Sequence, residues 1–330
     1  MSDGEHISRR GLIGVLPGLL LASAAPGVRG QARYPSRPVT IVVASPPGGQ
    51  SDLIARYLGD EVGRALGQTF LVDNKPGASG IVGLQYAARQ RPDGYTLAYG
   101  VGSWMAVNPG FFPNLPYDPV RDFVPITQIG TTPQCLMLGP HVRASTLAEL
   151  IAIARKEPGR LTFGSFGNGS TSHLQAEMLK MSAGLDMLHV PFKGSAQALT
   201  EVVAGRIDFM IIDFAPAAGF IRSGHLKPLA VTGTSRYPEY PQVPTFQELG
   251  HPLTLVGWNG LFAPAGTPTE VVEQLNRAFN EVIRSSAGRS KLLQLGAVAT
   301  GTTSDEYRAI LIEDIRRWGD VIRRSGAKPD

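Results

Sequence analysis

The chain has 330 residues, 43% of them apolar and 18% charged, which is enough hydrophobic material for a sizeable core and excludes disorder over most of its length. A formal charge of only +4, with no run of five basic residues, argues against nucleic acid as the main partner. The single cysteine, Cys135, excludes an internal disulfide and any multi-cysteine metal site.

Residues 1–32 read as an export signal and stand outside the fold. Arg9 and Arg10 precede a modestly apolar run from Gly11 to Ala25, which Gly14, Pro17 and Gly18 interrupt, so it is too short and broken to span a bilayer. Ser8-Arg9-Arg10-Gly11-Leu12-Ile13 resembles a twin-arginine signal, with an ordinary secretory signal as the alternative. Cleavage after Ala24 or Ala32 fits the small residues there, and the second is favoured because Tyr34-Pro35 opens the first ordered segment. No later apolar stretch reaches spanning length, so the mature chain is expected to be a soluble periplasmic protein acting as a monomer.

From Arg37 onward, short β-branched runs alternate with amphipathic helices. Val39–Val43 reads as a buried strand ending in a sharp Ser45-Pro46-Pro47-Gly48-Gly49 loop. The next stretch sets Leu53, Ile54, Tyr57, Leu58, Val62, Ala65 and Leu66 on one helical face. Strand is predicted over Phe70–Val72, helix over Ile81–Gln90 and strand over Tyr95–Tyr99. The rhythm then repeats: helix over Leu147–Arg155 behind a Thr146/Glu149 capping box, strand Leu161–Gly164, and a helix capped by Ser172 with Gln175. Strand Met187–Val190, helix Ser195–Ala204, and strands Ile207–Ile212 and Leu229–Thr232 follow. The C-terminal part turns helical over Pro268–Ser286, with Thr267 as its cap, then Arg289–Leu295 and Asp305–Ser325; it has no strand ladder and is expected to pack back onto the first sheet. This alternation predicts an α/β fold of mostly parallel sheets covered by helices on both faces.

Catalytic signatures are missing from the sequence. There is no Gly-x-Ser-x-Gly elbow, no phosphate loop ending in Gly-Lys-Ser/Thr, and no third glycine behind Gly100/Gly102 or Gly167/Gly169. His141, His173, His189, His225 and His251 are scattered without an i, i+4 pair, so neither a zinc site nor any other cofactor is expected. What recurs is a loop type. Ser45–Asp52, Gly167–His173 and Pro191–Ser195 each carry a strand through glycines and hydroxyls into a helix start. Free backbone N–H groups and the helix dipole favour anions there, at the strand ends where open α/β sheets bind ligands.

At these same residues the chain resembles the Bug family, periplasmic solute-binding receptors of tripartite tricarboxylate transporters. The resemblance is carried by Asn74-Lys75-Pro76-Gly77-Ala78-Ser79-Gly80, Pro92-Asp93-Gly94-Tyr95-Thr96 and Leu115-Pro116-Tyr117-Asp118-Pro119, then by Gly167–His173, His189–Gly194 and Leu261–Pro268, in that order. It implies two α/β lobes closing on a ligand like a flytrap, lobe one from residues 33–131 and 256–330 and lobe two from 132–255. It also implies a small organic carboxylate ligand, no enzymatic activity, and large and small membrane subunits as partners. By resemblance the ligand-binding residues are Gly48, Gly49, Gln50, Asp52, Ala78, Ser79 and Ser103 in lobe one. In lobe two they are Ser170, Thr171, His173, Lys193, Gly194 and Asp213, with Trp258 near the return crossover. Phe192, Gln50 and the bulky Val101–Trp104 loop depart from the family's usual residues, so ligand identity is not transferable.

Residue by residue, plainer roles stand beside these: Asp52 as a helix cap, His173 at a helix start facing solvent, Lys193 as a solvated cation, Trp258 as lobe packing, and Cys135 as a buried apolar side chain. Two other functions stand as alternatives. One is a hydrolase or transferase with Ser170 or Ser195 as nucleophile and His173 as base; the other is a receptor feeding a membrane sensor kinase.

Overall fold

The computed structural model describes residues 34–329, so the expected export signal, its twin-arginine motif and its cleavage sites lie outside the described residues. Two sheets organise the chain. The first has the order β11-β4-β10-β3-β1-β2, built from β1 (Val39–Val43), β2 (Phe70–Asn74), β3 (Thr96–Val101), β4 (Phe123–Thr132), β10 (Gly257–Pro264) and β11 (Val298–Ala299). The second has the order β7-β6-β8-β5-β9, from β5 (Gln134–Leu138), β6 (Thr162–Ser165), β7 (Leu188–Pro191), β8 (Phe209–Asp213) and β9 (Lys227–Val231). The chain leaves the first sheet between Thr132 and Gln134 and returns to it at Gly257.

Each sheet is buried on both faces because its strands alternate. Val39, Ile41 and Val43 enter one core while Val42 and Ala44 enter the other, as the two-residue strand period requires. Helices α1 (Gln50–Leu66), α8 (Thr269–Arg284) and α9 (Ser286–Gln294) cover the first of these faces. The opposite face takes α2 (Ile81–Ala88), the short α3 (Asn108–Phe111) and α10 (Ser304–Ser325), whose Tyr307, Leu311, Trp318 and Ile322 form an apolar stripe. In the second sheet Leu136, Leu138, Phe209 and Ile211 face α4 (Leu147–Lys156) and α5 (Thr171–Ala183). Cys135, Met137, Met210 and Ile212 face α6 (Ser195–Val203) and α7 (Phe214–Arg222). Cys135 is fully buried among them.

Four expectations need correction. The sheets are mixed: β2, β1 and β3 run parallel, as do β7, β6 and β8, but β10 is antiparallel to β3 and β4, and β5 to β8 and β9. β4 and β5, separated only by Pro133, adjoin the outgoing crossover, and β10 adjoins the return. The C-terminal part is not free of strand pairing, since Val298 and Ala299 pair with Thr131 and Gly130. Ser172 does not cap α5; its hydroxyl is buried and donates to the Ile211 carbonyl at 2.6 Å, and Ser170 takes the cap by accepting the His173 N–H. Thr267 likewise does not cap α8; its hydroxyl donates to the Pro264 carbonyl at 2.7 Å, and the helix starts one residue later.

Candidate functional site

The strand-to-helix loops of the two sheets face one another across a cleft with three connected sections. The largest, about 540 Å³, lies between Ser45, Gly77–Gly80 and Trp104 on one side and Phe166, Gly194, Ser195 and Asp213 on the other. A second of about 210 Å³ runs between Asn108, Phe111 and Phe112 and the Gly167–Ser170 loop. The third, about 160 Å³, is the inner end, where Gln50, Ser51 and Ser103 meet Gln134, Thr171, Asp213 and Asn259. Phe166 borders all three. A cavity of about 510 Å³ between the starts of α8 and α10 is a weaker candidate, because Thr267, Asn276, Thr303 and Ser304 there are already bonded within the protein.

Helix starts give the cleft its chemistry. Gly49, Gly80, Gly194 and Asp213 precede α1, α2, α6 and α7, and none of the four makes a side-chain capping hydrogen bond. Their first-turn N–H groups therefore lack the usual internal partner, at the positive end of each helix dipole. The Gly77–Gly80 turn leading to α2 is held in an uncommon backbone: Ala78 and Ser79 have φ of +46° and +53°, with Gly77 and Gly80 at +139° and +83°. Such conformations cost non-glycine residues energy and persist where surroundings fix them; here Asn108 Nδ2 donates to the Ser79 carbonyl at 3.0 Å. Ser45 Oγ is buried, has no partner among the described residues and opens on the same section.

Of the residues expected in the site, Gln50, Ala78, Ser79, Ser103, Ser170, Thr171, Gly194, Asp213 and Trp258 line the cleft. Gln50 also reaches out of it, its Nε2 donating to the Leu295 carbonyl at 2.7 Å. Trp258 is buried, donates to Asp314 Oδ2 at 2.8 Å and packs edge-on against Tyr307, so only part of its ring borders the inner section. Gly48, Gly49, Asp52, His173 and Lys193 do not line these sections. Lys193 is exposed.

Asp52 braces the first loop. Its Oδ2 accepts the Gly48 N–H at 2.9 Å and the Arg56 Nε–H at 3.0 Å, while Arg56 reaches Asn74 and Asn74 donates to the Ser45 carbonyl. Burial disfavours its charge, but Arg56, the Gly48 amide and Asn74 outweigh that and hold its carboxyl below the ordinary range.

His173 is buried, so the plainer alternative of a ring in solvent does not hold. It stacks on His189 with ring centroids 3.8 Å apart and nearly parallel, and its Nδ1 accepts the Gly169 N–H at 3.2 Å. His189 Nε2 lies 2.7 Å from Ser165 Oγ, which in turn bonds Gly167. The stacked pair thus fixes both ends of the Gly167–Ser170 loop. The Ser170 hydroxyl donates to the Gly167 carbonyl at 2.7 Å and accepts the His173 backbone N–H, so its proton is directed to the backbone and not to the imidazole.

Burial, with His189 and Lys180 nearby, pushes His173 down to about 3; burial and Lys180 push His189 down to about 4. Burial has the opposite consequence for Asp213, raising its carboxyl to about 6 although the Gln134 amide beside it works the other way. The unfolded chain protonates its histidines near the ordinary 6.5 while the folded pair stays neutral. Their contribution is therefore full above 6.5 and lost as pH falls through their folded values. The Asp213 contribution is full below 3.8 and lost as pH rises through about 6. Urea unfolding should give a midpoint that drops from pH 6.5 to 4, flattened in His173→Gln, and a drop that steepens in Asp213→Asn. A midpoint independent of pH in all three proteins would contradict the buried neutral pair.

Three cleft residues were not singled out from the sequence: Phe166, Gln134 and Asn259; Ser45 and Trp104 lie in the Ser45–Asp52 and Val101–Trp104 loops marked there. Gln134 and Asn259 lie in strands beside the crossovers, and no local pattern marks them. Phe166 directly follows β6 and precedes the glycine loop, the one signal that could have found it.

Among the described residues, no helix is long and apolar enough to cross a membrane, and no group of three or more His, Cys, Asp or Glu is placed to hold a metal ion.

The family profile described as "Tripartite tricarboxylate transporter family receptor" matches residues 54–327. Protein BugT of Bordetella pertussis is 34% identical over 297 residues, covering 89% of this chain and 91% of its own. A solved R. palustris protein with adipate is 34% identical, with a TM-score of 0.81 over 90% of this chain and 100% of its own. MatC of Rhodopseudomonas palustris with bound malate is 32% identical, with a TM-score of 0.75 over 88% of this chain and 100% of its own. The profile covers most of the chain and the relatives match nearly end to end; the chain belongs to the tripartite tricarboxylate transporter family of receptors.

Proposed function

We propose that the chain is an exported receptor that captures a small organic carboxylate in the cleft and delivers it to the large and small membrane subunits of a tripartite transporter. The lobes in this reading are residues 33–131 with 256–330, and 132–255. The observation that carries it is the convergence of uncapped starts of α2, α6 and α7 on one section of about 540 Å³. Each helix start favours an anion by about 0.3–1 kcal/mol when exposed and more when partly buried, and several starts from two lobes act on one group.

Ala78, Ser79, Gly194 and the Ser45 hydroxyl are the donors assigned to a carboxylate, with Ser103, Ser170 and Thr171 on the flanking walls and Gln50, Asp213 and Trp258 at the inner end. Gly48, Gly49, Asp52, His173 and Lys193 act on the ligand through the loops they shape or border. Adipate and malate in the two solved relatives support a dicarboxylate-sized cargo. Closure follows from differential affinity: a ligand gripped from both lobes favours the state in which both reach it, and excluding water strengthens each contact. The Ser8–Ile13 segment supports export to the periplasm. The hydrolase alternative finds little support in the Ser170 hydroxyl bonded to backbone.

Calorimetric titration of folded protein with C3–C6 mono- and dicarboxylates tests the reading. Saturable heat is expected with at least one member, and no binding of any would overturn it.

A further inference from the structure

The inner section of the cleft holds buried polar atoms that the carboxylate reading leaves unused. Gln134 and Asn259 are each only 2% exposed, and Gln134 Oε1 and Asn259 Nδ2 have no hydrogen-bond partner among the described residues. Both side chains line the section of about 160 Å³ together with Asp213. Gln134 and Asp213 are direct register partners in the antiparallel β5–β8 pair, so their side chains share a face. Asn259 comes from β10, at the first of that strand's register shifts against β4. A buried donor or acceptor left unpaired costs about 1–3 kcal/mol, and neighbouring backbones do not relieve these two. The remedy is a group that enters from the cleft.

The chamber's polarity selects that group. A methyl or methylene leaves both amide atoms unpaired. A second carboxylate meets Asp213 as a like charge in a confined space. An ammonium has donors only and faces the Asn259 N–H₂ with no acceptor to offer it. A hydroxyl donates to Gln134 Oε1 or the Asp213 carboxylate and accepts from Asn259 Nδ2, so of these four groups it alone satisfies the set. The volume, about 160 Å³, also suits a small group with a few waters, each occupying about 30 Å³.

We propose that this chamber is the subsite that selects the cargo, and that the preferred ligand is a hydroxycarboxylate whose hydroxyl enters between Gln134, Asp213 and Asn259. The proposal rests on the carboxylate reading and names its substrate class. Gln134 and Asn259 become the residues that set specificity, while the helix starts set affinity for the charged end.

Titrations of the full mature chain with matched pairs test it: propionate against lactate, succinate against malate, and glutarate against 2-hydroxyglutarate, with aspartate as the ammonium counterpart of malate. The hydroxy acid of the best-binding pair should bind about tenfold or more tightly than its parent, the factor expected for one satisfied hydrogen-bond set. Gln134→Met and Asn259→Leu, checked for native circular dichroism, should cost the hydroxy acid more affinity than the parent and so close that gap. Equal or tighter binding of the parent, or aspartate binding above malate, overturns the proposal while the carboxylate reading stands. Variants that weaken both members equally also overturn it. Failure of every acid to bind removes the carboxylate reading and this inference with it. The ligand comparison uses the unaltered chain, so the outcome does not depend on whether the variants fold.

Discussion

Replacing Gly80 with alanine is expected to lower carboxylate affinity at least tenfold and to cost about 2–4 kcal/mol of stability. Gly80 caps α2 with φ of +83°, a backbone that side chains other than glycine rarely adopt. A Cβ there would sit 2.7–2.8 Å from three ring atoms of Trp104, close to the ring's attachment point and not at a flexible tip. Trp104 borders two cleft sections, so the indole must be pushed into space the ligand needs. Gly67→Ala separates the two costs: Gly67 also has positive φ, +68°, yet a Cβ there meets nothing within 4 Å. That control should lose only the backbone contribution, about 1 kcal/mol, and keep its affinity. Urea unfolding and calorimetry on both proteins check the expectation; an affinity loss shared by Gly67→Ala would contradict it.

Gly260→Ala should be strongly destabilising for a single added methyl, with about 3 kcal/mol or more lost in urea unfolding. Gly260 sits in β10 between two register shifts. A Cβ there would fall 2.0 Å from the Tyr307 hydroxyl and 2.3 Å from its Cζ. Tyr307 is fully buried on α10, so the ring has no path to solvent, and the strand is bonded on both edges by β3 and β4. Shrinking the partner should restore part of the loss: Gly260→Ala with Tyr307→Leu should be less destabilised than the two single changes added together, a coupling that a double-mutant cycle reads directly. Simple additivity would show that α10 does not lock onto β10 through this contact.

These two glycines mark what the sequence could and could not reveal. The strand–loop–helix units from Val39 to Leu66 and from Leu188 to Val203 were legible because β-branched runs, glycine loops and amphipathic stretches agree locally. The α10 stripe was legible for the same reason, as Tyr307, Leu311, Trp318 and Ile322 recur at helical spacing. β4 and β10 were not, although they lie at the centre of the first sheet. Pro125 and Gly130 interrupt one, Asn259 and Gly260 the other, and pairing between distant segments, which no local window contains, makes them strands. Missing those strands also hid Asn259, and with it the polar end of the cleft.

The candidate site divides in the same way. Family-motif residues on loops, such as Ala78, Ser79 and Gly194, do meet across the cleft. Asp52, in the Ser45–Asp52 loop, and His173, in the Gly167–His173 motif, instead have side chains taken up by backbone amides of their own loops. Residue type and spacing are identical for a donor aimed at a ligand and for one that props up the loop beside it. Only the direction of the side chain distinguishes them, and that is set by tertiary packing.

The central claim is that main-chain N–H groups at opposed helix starts hold a negative charge. It is tested most directly by titrating the best-binding dicarboxylate and its isosteric diamide into the same folded protein. The account predicts saturable heat for the dicarboxylate and at least about a hundredfold weaker binding for the neutral diamide, the loss of two or more charge-assisted hydrogen bonds. Equal affinity for the two would contradict it.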